Sequence, residues 1–122
     1  MSIHYAILDE QPERINRIRF LLHLRGILAL LAIDAAEVIN WRSACREAEA
    51  EMCGVILYCD PANIRHLQAL EEAGFDLPIY AIRGEGCDSP VSDGLNIFIG
   101  SIDEILQQLP AETTAATMPA GR

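Results

Sequence analysis

Apolar positions along this chain follow two periods, and the period switches at each turn signal. Ile3-His4-Tyr5-Ala6-Ile7-Leu8 is a short apolar run closed by Asp9-Glu10, which predicts a first strand. Gln11-Pro12-Glu13 then opens a helix, because proline fits a first turn and an acid there favours the positive end of the helix dipole. Ile15, Ile18, Leu21 and Leu22 recur at three- and four-residue steps, with Arg14, Arg17 and Arg25 on the other side. Gly26 is the expected stop. Ile27 to Ile33 predicts a second strand, and Asp34-Ala35-Ala36-Glu37 has the spacing of a capping box that starts a second helix. Val38, Trp41, Cys45 and Ala48 should form the buried stripe of that helix.

Met52 to Cys59 is apolar without alternation, as expected of a central parallel strand covered on both faces. Asp60-Pro61 follows, with Asp60 as N-cap and Pro61 at the first helical position. Ile64, Leu67 and Leu70 should face inward before Gly74 ends the third helix, and Leu77 to Ile82 is the fourth strand. The rhythm then fails. Arg83 to Asp93 holds Gly84, Gly86 and Pro90 with no apolar period, so the expected fourth helix is short or missing. Leu95 to Ile99 reads as a fifth strand. Ser101 to Glu104 caps a last helix whose apolar face is Ile102, Ile105, Leu106 and Leu109.

Five strands alternating with helices imply a three-layer α/β domain. The expected architecture is a flavodoxin-like, five-stranded parallel sheet in the order 2-1-3-4-5. Residues 1–110 should form one domain, and the small, polar stretch 111–122 a disordered tail or linker.

Composition narrows the partners. The net charge of −9 argues against nucleic acid and against an anionic membrane. The charge is uneven: residues 1–46 hold six Arg and five acids, a sum of +1, whereas residues 47–112 hold two Arg and thirteen acids, a sum of −11. That asymmetry suits self-association. No apolar run reaches bilayer length and no basic n-region precedes the first apolar run, so the expected location is cytoplasmic. Cys45, Cys53, Cys59 and Cys87 make no CxxC pair and are expected as reduced thiols packed like small hydrophobes.

Candidate chemistry sits past the carboxyl ends of the strands. Asp9, Glu10 and Asp60 are the acids that could hold a divalent cation for phosphotransfer, with Asp60 as the alternative phosphate acceptor of a signalling receiver. Aligning Val55-Ile56-Leu57 with a receiver's apolar run puts Tyr58, not a carboxylate, at the acceptor position. Such a site also needs a hydroxyl after strand four, where Arg83 stands, and a lysine after strand five. All nine basic residues are arginine, so that lysine cannot exist. Cys59 and Arg65 have the Cys-x5-Arg spacing of a phosphatase loop, but Asp60 and Pro61 would oppose a bound dianion and remove an N–H donor. Gly84-Glu85-Gly86 is too short for a dinucleotide fingerprint, and His4, His23 and His66 are scattered. No catalytic, cofactor-binding or metal residue is therefore assigned.

Cys53-Gly54-Val55-Ile56-Leu57, then Asp60, then Leu77-Pro78-Ile79-Tyr80-Ala81 resembles the N-terminal wing domain of the bacterial ornithine/lysine/arginine decarboxylases, large pyridoxal-phosphate enzymes. The resemblance is best from about Ala50 to Leu109 and includes Ala73 to Pro78. It implies a receiver-like fold without receiver chemistry, which packs against neighbours and helps assemble larger rings. Pyridoxal phosphate would belong to the core domain of a parent enzyme, since a chain without lysine forms no Schiff base. An effector site known in some lysine-specific members uses an arginine before strand five. Residues 84–100 here contain no basic residue, so that site is not carried over.

The resemblance leaves two origins open: a fragment cut at an interdomain linker, or an independent small protein. In both, the expected role is protein–protein assembly or regulation, with a second copy or a decarboxylase core domain as partner. The expected contact surface is the edge near strands four and five, with the arginine face of the first helix meeting the acidic half of another copy.

Overall fold

The computed structural model describes residues 3–84 and 94–109. Its elements are β1 (Ile3–Leu8), α1 (Pro12–His23), β2 (Ile27–Ala32), α2 (Ala35–Glu47), β3 (Glu51–Tyr58), α3 (Pro61–Glu72), β4 (Ile79–Ile82), β5 (Ile97–Gly100) and α4 (Ile102–Gln108). All pairings are parallel and the order is β2-β1-β3-β4-β5, as the strand pattern predicts. The stretch from which the sequence omits a helix lies mostly outside the described residues, as does the tail from 110 onward. Strands four and five begin two residues later than their apolar runs suggest.

Helix ends follow local chemistry. The Asp34 and Asp60 side chains accept from the backbone N–H groups of Glu37 and Asn63, each at 2.9 Å. Ser101 and Glu104 form a reciprocal capping box. Gly26 and Gly74 take positive φ values of 75° and 74° just past their helices, a conformation in which glycine carries no Cβ penalty.

Side-chain alternation along the strands divides the core in two. Ala6, Leu8, Ala32, Val55 and Leu57 pack beneath Val38, Cys45, Leu67 and Leu70 of α2 and α3. Tyr5, Ile7, Ile27 and Ile56 pack on the other face against Ile18 and Leu22 of α1 and Ile105 and Leu106 of α4. Both faces of β3 are therefore covered, which explains its unbroken apolar run.

Two expectations fail here. Trp41 belongs to the predicted stripe of α2, yet it is 37% exposed, and its indole N–H donates to the Leu31 carbonyl at 2.8 Å. A tryptophan near the sheet edge gains more by satisfying an unpaired strand carbonyl than by entering the core with its own N–H unpaired. Ala48 is likewise exposed. Second, among the described cysteines Cys45 and Cys53 are free thiols, while Cys59 is disulfide-bonded. Cys87 lies outside the described residues. The expectation of four reduced thiols is thereby corrected.

Gly54 is required by a close approach. A Cβ there would stand 2.5 Å from the Pro78 carbonyl oxygen, where the chain enters β4, and 3.2 Å from the Tyr5 ring. Val55 N–H donates to that same carbonyl at 3.0 Å, so the backbone cannot retreat without losing a bond. Gly54→Ala should cost roughly 1–3 kcal/mol by overpacking, measured by urea unfolding. An unchanged midpoint would mean that Pro78 yields freely. Burial, with Glu51 adding repulsion, pushes the Cys53 thiol up to about 11. Its alkylation by iodoacetamide should therefore be slow at neutral pH and accelerate only as the pH approaches that value.

Candidate functional site

The carboxyl ends of β1 and β3 lie side by side, because β1 pairs with β3. Asp9 follows β1 and Asp60 follows β3 by two residues, so the topology brings together acids fifty-one positions apart. Asp9 is 1% exposed and is one of two buried polar residues among those described. Its Oδ1 accepts from the Gln11 backbone N–H at 2.9 Å and from Arg14 Nη2 at 2.8 Å. The same Nη2 lies 2.7 Å from Asp60 Oδ2. One guanidinium nitrogen thus joins both carboxylates.

Each group in this bridge is positioned by neighbours. Arg14 leaves the first turn of α1 and lays its guanidinium carbon 4.9 Å from the centre of the Tyr58 ring, a cation–π contact that fixes its plane. Asp60 Oδ1 is committed to the Asn63 N–H as helix cap. Asn63, 2% exposed, returns its side-chain amide to the Tyr58 carbonyl at 3.0 Å. Burial works against the Arg14 charge, yet hydrogen bonds to Asp9 and Asp60 outweigh it and hold its pKa above the ordinary value. Asp9 Oδ2 and Arg14 Nε are buried without partners. Glu10 is exposed and stands outside the bridge.

The arrangement does not fit the chemistry that a divalent cation would support. One oxygen of each acid, Asp9 Oδ1 and Asp60 Oδ2, already holds a cation belonging to the chain. Tyr58 ends β3 where a phosphate acceptor would be needed, and Asp60 has both oxygens engaged. Past β4, Arg83 is exposed and offers its backbone N–H to the Gly100 carbonyl. Past β5, Ser101 is used as a cap. Among the described residues no group of three or more His, Cys, Asp or Glu is placed to hold a metal ion. The phosphatase-like spacing also dissolves: Cys59 is buried and disulfide-bonded, and Arg65 is exposed.

Sequence reasoning brought forward Asp9, Glu10 and Asp60 but missed Arg14, which it assigned to the solvated side of α1. The available signal was its position in the first turn of the helix, five residues after Asp9. Nothing in the spacing revealed that Asp60 would stand within reach of the same nitrogen.

The fold matches a solved structure of a response regulator receiver domain protein from Bacillus halodurans, with a TM-score of 0.52 and 10% identity. The match covers 100% of this chain and 98% of that one. No family model matches the chain, and no curated protein matches it in sequence. The chain therefore has a receiver-like, flavodoxin-like fold.

If Arg14 stands in for a cation, removing it leaves two carboxylates facing each other, one of them buried. Arg14→Ala should lose roughly 2–4 kcal/mol of stability. Mg²⁺ should raise the melting temperature of that variant and leave the native protein unchanged. A native melting temperature that rises with Mg²⁺ would show that the guanidinium does not occupy the cation's place.

Proposed function

We propose that this chain is a receiver-like domain without phosphotransfer chemistry, which acts through protein–protein contact. The observation that carries the reading is the bridge of Arg14 to Asp9 and Asp60, with Tyr58 beneath it. A phosphorylatable receiver keeps the space between its acids for a divalent ion, which neutralises the incoming phosphoryl group. Here a tethered guanidinium lies between the two acids, 2.8 Å from Asp9 and 2.7 Å from Asp60. What remains available to partners is surface.

The resemblance of residues 50–109 to a decarboxylase wing gives this role a specific form: a module that packs on a catalytic core or on another copy, while pyridoxal phosphate and its lysine belong to the core. The lysine-free composition agrees with that division. Among the described residues no helix is long and apolar enough to cross a membrane, and a cytoplasmic setting is part of the proposal.

Acetyl phosphate with Mg²⁺ tests the reading directly, using intact-protein mass spectrometry. No gain of a phosphoryl group is expected. A gain that disappears in Asp60→Asn would overturn the proposal in favour of a signalling receiver.

A further inference from the structure

The large hydrophobic side chains that stand exposed among the described residues all fall in one stretch of 22 positions: Phe20, Leu24, Leu28, Leu31, Ile33 and Trp41. Two are more than 60% exposed, Phe20 at 61% and Leu24 at 65%. They surround β2, the outer strand of the sheet. By alternation Leu31 lies on the α1 face of the strand with Ile27 and Ala29, and Leu28 on the α2 face with Leu30 and Ala32. The apolar surface therefore wraps the edge. Exposed apolar side chains gathered along one sheet edge, rather than scattered singly, mark a contact surface.

We infer that this surface is where two copies of the chain meet, packed about a two-fold axis with their β2 strands antiparallel. The inference names a partner and an interface for the contact role proposed above, and rests on that reading. Charge selects the partner. Residues 19–41 carry Arg19 and Arg25 against Asp34 and Glu37, a sum of zero, so the whole net charge of −9 lies elsewhere. This edge is a surface on which two such chains approach without like-charge repulsion. Charge also selects the orientation. Arg25 stands two residues before β2, Asp34 two residues after it, and Glu37 in the first turn of α2. Antiparallel strands place the Arg25 end of each copy against the acidic end of the other. A two-fold axis makes the two contacts equivalent.

The edge is also shaped to stop at two. Trp41 Nε1 occupies the Leu31 carbonyl, and Glu37 Oε1 accepts from the Ile33 N–H at 2.8 Å. Those bonds blunt the second half of the strand and block an extended backbone ladder, the route to open-ended strand addition. Contact is left to side chains. The expected surface at β4 and β5 has no comparable exposed apolar residues among those described.

Sedimentation equilibrium of the full chain across a dilution series tests the interface. A native dimer is expected, and the double variant Leu28→Glu/Leu31→Glu should weaken it roughly a hundredfold with an unchanged far-UV circular dichroism spectrum. Arg25→Glu and Glu37→Arg should each weaken dimerisation alone, and an equimolar mixture of the two should restore it, because both contacts are then complementary. A native chain that stays monomeric, a double variant that dimerises normally, or a mixture that regains nothing would each overturn the inference. A dimer indifferent to Leu28 and Leu31 would leave the contact role standing at another surface. Phosphoryl uptake would remove the contact role and leave this interface untouched.

Discussion

A guanidinium placed between two carboxylates governs the upper end of this sheet. Asp9 is fully withdrawn from water, and a carboxylate in that position needs compensating charge and donors. Arg14 supplies the charge, and the Gln11 N–H supplies a second donor. Because the same nitrogen also reaches Asp60, the bond couples the end of β1 and the start of α1 to the cap of α3. The Tyr58 ring prevents the guanidinium from turning away. Replacing Arg14 would leave the buried Asp9 without its counter-charge, which is the costly side of such a bridge.

That compensation also sets the electrostatics at the carboxyl end of the sheet. A divalent ion exchanges with solvent and can meet a phosphoryl group; a side chain on a helix stays in place. With the acids engaged internally, the fold retains the layout of a receiver but presents a closed electrostatic unit. The outer surfaces are unequal. The acidic half of the sequence is repulsive to its own kind, while the neighbourhood of β2 is apolar and neutral. The bridge and the proposed contact surface are connected through α1, which carries Arg14 at its first turn and Phe20 near its last.

Much of this was readable in advance, for reasons that differ by residue. Asp34, Asp60 and Ser101 announce helix starts because capping is a bond between residues three apart, and Gly26 and Gly74 announce ends because left-handed backbone favours glycine. Trp41 was misread because helical periodicity counts apolar character and ignores the indole N–H, whose partner on β2 lies ten residues away. Cys59 was misread because the chemistry of a thiol depends on which other group stands beside it. Gly54 enters the sequence reading only as part of a strand motif, and its need for a missing Cβ shows only where the Pro78 carbonyl stands against it.

The order of strands and helices, the parallel sheet and the absence of any lysine chemistry follow from the amino-acid sequence alone, since each depends on local periodicity or on composition. The union of Asp9, Arg14 and Asp60 and the gathering of apolar side chains around β2 belong to the tertiary structure. The predicted order already places β1 beside β3 and β2 at the rim; which side chains then meet across those neighbours, or stay exposed beside them, is set by packing between residues far apart in the chain.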